Sequence, residues 1–226
     1  MTALRLVIFD VDGTLVDSQA DIVAAMSHAF ARAERDAPTR EAILSIVGLS
    51  LDRAIALLAP EVDSGMRDRM VEWYKEAYIA LRAEIGAAQS SPLYPGAREV
   101  LEALNAQPET LLGVATGKSR RGLDKLLEGH GLERMFITQQ VSDHHPSKPH
   151  PSMIRAALSE TGLEPHPAVM IGDTSFDMEM AAAAGVAGIG VGWGYHPSEA
   201  LSAARHMIDS FDALPPLLQQ IWEAAA

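Results

Sequence analysis

The sequence predicts an α/β fold, a doubly wound parallel sheet with an inserted α-helical bundle, on three observations. Short runs rich in Val, Ile and Leu, bounded by Gly, Pro or Asp, occur at Leu4–Phe9, Leu111–Ala115, Met135–Thr138, Ala168–Ile171 and Val186–Val191 and read as buried parallel strands. Helical patterns at Ser119–Glu128, Pro151–Glu160 and Ser175–Ala184 alternate with them, as β-α-β units require. The stretch Val16–Ser91 carries helical patterns and no convincing strand.

The first strand, "LRLVIFD", ends in Asp10 and Asp12, two residues apart and so on one face if the strand continues; Gly13 then lets the chain turn. "DIVAAMSHAFARAERDA", "TREAILSIVG", "LDRAIALLA" and "GMRDRMVEWYKEAYIALRAEI" follow as a helical bundle, with Met66, Met70, Trp73, Ala77 and Leu81 as an apolar seam. "SSPLYPGAREVLEAL" marks the return, where Pro92 and Pro95 punctuate a linker. The expected organisation is a core over 1–15 and 92–226 and a helical domain over 16–91. That insertion lies at the carboxyl end of the first strand, where open α/β sheets bind ligands.

Composition narrows the chemistry. Hydrophobic residues make 48% of the 226 and charged residues 21%, the balance of an ordinary folded protein. Lys and Arg total 18 against 30 Asp and Glu, a formal charge of −12 that would repel a nucleic-acid backbone. The absence of Cys excludes disulfides, a thiol nucleophile and Cys-ligated zinc. "MTALRLVIFD" reaches an acid too early for a signal peptide and no run approaches a membrane span, so the expectation is a cytoplasmic protein with no membrane partner, monomer or homodimer.

Polar groups gather at the predicted strand ends. Asp10 and Asp12 follow the first strand, Thr116 and Gly117 stand in "ATGKS", Lys148 in "SKPHP", and Asp173 and Asp177 in "GDTSFD". In a parallel sheet they share one edge. Four crowded carboxylates repel strongly unless a divalent cation neutralises them, and all-oxygen ligation suits Mg2+. Thr116 and Gly117 at a helix start make a seat for an anion, and Lys148 adds positive charge. A carboxylate nucleophile, a carboxyl acid/base, a metal and an anion cradle together describe phosphoryl transfer. "TGKS" is no nucleotide-binding P-loop, because Leu112 stands where the motif needs Gly. His144, His145 and His150 in "HHPSKPH" lack a fourth ligand for zinc and read as solvated loop residues.

"DVDGTLVDS", "ATGKS", "SKPHP" and "GDTSFDM", in this order, resemble the four motifs of the haloacid dehalogenase (HAD) superfamily, and the helical insert resembles its C1 cap. The resemblance implies a Rossmann-like core with Asp10 as nucleophile and Asp12 as acid/base. It implies that Thr116 and Lys148 hold the phosphoryl group. Mg2+ would be bound by the Asp10 carboxylate, the Asp12 backbone carbonyl and Asp173, with Asp177 a further ligand or an orienter of one. An acid at position 12 argues for a phosphatase or phosphomutase. The mutase type usually carries Arg three residues after the Gly of its cap loop, whereas Leu51 stands there, leaving Arg53 as the displaced candidate.

The "GLSLDRAI" loop and the "GVGWGYH" turn are most similar to phosphoglycolate phosphatase-like members. A small phosphorylated metabolite, 2-phosphoglycolate first, is therefore the expected substrate. Gly48, Leu49, Ser50 and Arg53 are the candidates for selecting it, since loops of inserts face such sites. A phosphomutase, a pyrophosphatase and a non-catalytic binding protein are the alternatives.

Overall fold

The computed structural model describes residues 4–224. The ends of the expected core, 1–3 and 225–226, lie outside the described residues. Strands β1 (Arg5–Phe9), β2 (Thr110–Thr116), β3 (Thr138–Val141), β4 (Ala168–Gly172), β5 (Ala187–Val191) and β6 (His206–Ile208) form one sheet in the order β3-β2-β1-β4-β5-β6, every pair parallel. The doubly wound α/β fold is as the sequence predicts. β1 is central, with Phe9 opposite both Val114 and Ile171. Its residues Leu6 to Phe9 are fully buried because side chains on both faces meet helices.

Helices α6 (Ala97–Asn105), α7 (Arg120–His130), α8 (Ser152–Thr161), α9 (Ser175–Ala183) and α10 (Leu214–Glu223) cover the sheet. One face packs Val7, Phe9, Val114 and Ile171 against Leu101, Leu123, Leu126 and Leu218. The other packs Leu6, Ile8 and Met170 against Ile154, Ala157 and Met180. α7 begins where Ser119 Oγ accepts from the Gly122 amide at 3.2 Å, a side-chain cap for an otherwise unpaired N–H.

The third strand departs from expectation. The apolar run at 135–138 was expected to be strand, but pairing begins only at Thr138, opposite Gly113. Phe136 is buried as part of the loop that leads in, while Ile137 is 67% exposed. The strand itself, "TQQV", is polar yet satisfied, for Gln140 donates to Thr138 Oγ1 at 2.8 Å and pairs through Oε1 with His145 Nε2 at 2.9 Å. β6 is a three-residue edge strand too short to leave a periodic signal.

Between β1 and β2 the chain forms α1 (Gln19–Arg32), α2 (Arg40–Leu44), α3 (Leu51–Leu58), α4 (Ser64–Ile85) and α5 (Ala87–Ser90). Ile22, Met26, Phe30, Ile43, Ile55 and Met70 make their own apolar cluster, which Phe176 and Tyr195 touch from the sheet side. Of the expected seam, Met70 is fully buried and Met66 and Trp73 pack partly against the cluster. The outgoing and returning strands of chain run together, Asp17 N donating to Pro92 O and Tyr94 N to Leu15 O, each at 2.9 Å. This pairing sets the helical layer over the carboxyl edge of the sheet.

Candidate active site

Three acidic side chains meet beyond the ends of β1 and β4, with Asp12 near them. Asp10, Asp173 and Asp177 each place an oxygen within 4.8 Å of the others, and all three are buried. β1 fixes Asp10 through its amide, which donates to Ile171 O at 2.9 Å. Asp173 accepts from Thr14 Oγ1 at 2.8 Å and from the Tyr195 amide at 2.9 Å, one bond to each oxygen. Asp177 closes a capping box at the start of α9, its Oδ2 accepting from Thr174 N and Oγ1 at 3.1 and 2.7 Å.

Backbone freedom permits this crowding. Gly13 has φ of +81°, and a Cβ there would stand 2.2 Å from Asp173 Oδ2. Gly117 is needed for a different reason, since a Cβ on it would lie 2.6 Å from the carbonyl oxygens of Gly48 and Leu49. The helical layer thus rests its loop directly on Gly117.

Charge is only partly balanced. Lys148, 2% exposed, is seated between Asp177 Oδ1 at 2.6 Å and Asp10 Oδ1 at 2.9 Å. Lys118 Nζ lies 2.8 Å from Asp12 Oδ1, which also accepts from Ser18 Oγ. Two ammonium groups facing four carboxylates leave two negative charges once all four acids are ionised. Burial pushes the Asp10 carboxyl up to about 7, against the lowering by Lys148 and with further raising by Asp177 and Asp12. Burial likewise pushes Asp173 well up, helped by Asp177 and Asp10. Burial alone would lower the two lysines, yet Asp10 and Asp177 hold Lys148 up and Asp12 holds Lys118 up.

Asp10 is also unsatisfied. Neither of its oxygens has an aligned hydrogen-bond donor, Lys148 touching Oδ1 as an ion pair and nothing meeting Oδ2. A buried carboxylate with a free oxygen, beside two more acids and a surplus of two negative charges, fits a hard divalent cation. The donor set is all oxygen, as Mg2+ prefers.

A cavity of about 640 Å3 opens above Asp10 and Asp12. Thr116, Gly117, Gly48, Leu49 and Ser50 line it. Ser50 is tied to the sheet side, its amide donating to Ser147 Oγ at 2.9 Å. Arg53 is instead exposed on α3 and does not line the cavity. Lys148 is buried behind it, paired with the acids. Asp12 turns its carboxylate to Lys118 and Ser18 and stays out of the three-acid cluster.

Lys118, Tyr78 and Arg82 have no role that the sequence assigns, whereas Trp193 and Tyr195 of "GVGWGYH" read from it either as a wall of the site entrance or as core-edge aromatics. Lys118 stood in plain sight within "ATGKS". Tyr195, in "GVGWGYH", accepts from the Ser18 amide at 2.9 Å while its own amide holds Asp173. Trp193 instead packs on Phe211 in the core, ring centres 4.7 Å apart. Tyr74, Tyr78 and Arg82 recur every four residues along α4, a second stripe beside the apolar seam, and all three line the cavity. His145 has both ring nitrogens engaged, by Ser152 and Gln140, and the three acids are the only metal-holding group found among the described residues.

Comparison with known proteins places this geometry. Residues 7–191 match the haloacid dehalogenase-like hydrolase family. A probable phosphatase, IndB, of Dickeya dadantii is 37% identical over 91% of this chain and 90% of its own length. A phosphoglycolate phosphatase of Agrobacterium fabrum is 34% identical over 94% of this chain and 91% of its own. The crystal structure of a hydrolase from Pseudomonas syringae superposes with a TM-score of 0.84 at 26% identity, covering 96% of this chain and 99% of that one. With the four motifs gathered at one sheet edge and a match spanning most of its length, the chain belongs to the haloacid dehalogenase-like hydrolase family and is a phosphoglycolate phosphatase-like enzyme within it.

Proposed function

We propose that the protein is a Mg2+-dependent phosphatase that hydrolyses a small phosphorylated metabolite through an aspartyl phosphate on Asp10, with 2-phosphoglycolate the first candidate. The observation that carries this reading is Asp10 itself, a rigidly held, buried carboxylate with an unpartnered oxygen at the floor of the cavity. Residues 16–91 act as a cap on a core of 1–15 and 92–226, and the Gly48–Ser50 loop closes over Gly117 to exclude water.

In the first half-reaction an Asp10 oxygen attacks phosphorus, the bond to the leaving oxygen breaks, and Asp12 gives that oxygen a proton. In the second, water attacks phosphorus, its proton passes to Asp12, and the Asp10–phosphorus bond breaks to release phosphate and regenerate the carboxylate. Thr116 and Gly117 seat the phosphoryl oxygens beside Asp10. Lys148 keeps Asp10 charged and aimed, since burial alone favours the protonated, non-nucleophilic acid. Asp10, the Asp12 carbonyl and Asp173 hold Mg2+, which when bound neutralises charge developing on the transferring oxygens. Asp177 already spends its oxygens on Lys148 and Thr174 and serves to orient the cluster.

A phosphate-release screen over phosphoglycolate, pyrophosphate, nucleotides and sugar phosphates, with and without Mg2+, tests the reading. Turnover is expected only with the metal; a protein inert on the whole panel with Mg2+ present would be a binding protein instead. A mutase would release no phosphate and would require a bisphosphorylated primer.

The same cluster sets a pH-dependent stability. Asp10 and Asp173 are raised in the folded state, so folding binds protons, and their contribution, present below the unfolded carboxyl value near 3.8, is lost as pH rises through about 7 for Asp10. Mg2+ should therefore stabilise more at pH 8 than at pH 5.5. At a hundred times its Kd the ion adds about 2.7 kcal/mol, a Tm rise of roughly 5–10 °C for a chain of this size. Calorimetric melts checking this should show little shift at pH 5.5; an equal shift at both would place the ion elsewhere.

A further inference from the structure

The cavity holds a cation that the chemistry above leaves unused. Arg82, on α4, has Nε and Nη2 buried without partners, and its one hydrogen bond is a long one, Nη1 to Gly122 O at 3.3 Å. Its guanidinium lies 5.1 Å from the centre of the Tyr78 ring, which stacks on Tyr74 with centroids 5.8 Å apart and planes within 15°. Lys118 meets the same tyrosine, 3.2 Å from its hydroxyl. The ring contact helps hold the guanidinium in place while leaving Nε and Nη2 unspent.

An unsatisfied buried guanidinium is costly, and such a group persists where a ligand completes it. In a chain of net charge −12, this single cavity gathers Lys75, Arg82, Lys118, Arg121 and Lys125, with Asp52 and Asp143 also on its wall besides the catalytic acids. That is local focusing of positive charge toward an anion. Lys118 is engaged by Asp12, Lys75 by Glu72 and Lys125 by Glu128, and Arg121 is exposed, so Arg82 is the cation whose free donors are buried. A guanidinium fork matches a carboxylate or a phosphate in two parallel bonds.

We infer that Arg82 binds a second anion, a carboxylate or phosphate carried on the leaving group, and so restricts the enzyme to phosphomonoesters that are also acids at their far end. The inference rests on the phosphatase reading and sharpens it. A two-carbon acid such as phosphoglycolate carries the required group but fills little of about 640 Å3, so longer acids fit as well.

The test compares 3-phosphoglycerate and a glycerol bisphosphate with glycerol 3-phosphate, which lacks the second anion. Affinities are measured by titration calorimetry on Asp10→Asn protein and turnover on the wild type. The acids should bind and turn over about 10- to 100-fold better than glycerol 3-phosphate. Arg82→Gln should erase that preference while leaving glycerol 3-phosphate within about twofold, and Arg82→Lys, which keeps charge but not the fork, should restore part of it. Preference for the carboxylate over the bisphosphate, or the reverse, identifies which anion the site takes. Equal affinity for all three in the Asp10→Asn protein, or an equal loss on all three with Arg82→Gln, overturns the assignment. Binding with preference but no turnover of any ester by the wild type would instead uphold Arg82 and overturn the phosphatase reading.

Discussion

Replacing Asp10 with Asn should lower phosphate release by about 10⁴- to 10⁶-fold, the scale on which loss of a covalent nucleophile is felt. The same change should remove the phosphoryl mass increment that rapid acid quench of the wild type traps on the peptide containing Asp10. The amide is isosteric, so Ile171 keeps its backbone bond and the β1 end stays in place. Stability should move the other way. With its carboxyl at about 7, Asp10 is held charged at pH 8 against its own burial and against Asp177 and Asp12. A neutral side chain removes that penalty, so metal-free Asp10→Asn protein should melt above the wild type at pH 8 and gain less from Mg2+. This is the familiar opposition of activity and stability at a strained site. Turnover retained in the variant would end the covalent mechanism, while a lower metal-free Tm would show that the Lys148 ion pair outweighs the burial of charge.

Much of the fold could be read because its signals are local. Buried parallel strands are apolar on both faces, which is why four of the five expected runs coincide with strands to within two residues at either end. The exception is instructive. At 135–138 Phe136 and, in part, Met135 pack a loop against the core while Ile137 faces solvent, and the true strand is polar because Gln140 and Thr138 satisfy each other inside the sheet. Hydrophobic pattern reports burial, and burial is shared by strands and by loops that plug a core. β6 was missed because three residues at an edge need only one inward side chain, Ile208.

The site was legible where one short motif fixed both a residue and its neighbours. Asp10, Asp12, Thr116, Asp173 and Asp177 stand at or just beyond strand or helix ends, where topology gathers them, and Lys148 reaches them from the loop between β3 and α8. What a motif does not encode is the pairing between motifs: that Lys148 answers Asp10 and Asp177 while Lys118 answers Asp12 is a matter of three-dimensional packing. The inserted layer was harder still. The loop from Gly48 to Ser50 does reach the cavity, but Arg53 turns outward, and the inserted layer's buried cation there, Arg82, comes instead from the far end of α4. α4 carries two stripes, and only the apolar one leaves a periodic hydrophobic signal.

The largest effect on folding should follow from Lys148→Met. The ammonium is 2% exposed and sits between two carboxylates, so its removal leaves buried negative charge with no counterion. Breaking such a pair costs about 3–5 kcal/mol, a Tm fall of roughly 6–20 °C in a chain of this length. Lys148→Arg should not rescue it, because the larger planar fork must enter a fully buried site already closed by two carboxylates at 2.6 and 2.9 Å. Adding Asp10→Asn to Lys148→Met should raise Tm again, since the two residues touch and their effects cannot be additive. Saturating Mg2+ then separates structure from catalysis. The ion can replace the missing positive charge and lift Tm, but it cannot stand where the ammonium polarises Asp10, and kcat should stay down by about 10²- to 10³-fold. Recovery of kcat in step with Tm would reduce Lys148 to a structural counterion; a Tm restored without activity makes it the group that keeps a buried acid both charged and aimed at phosphorus.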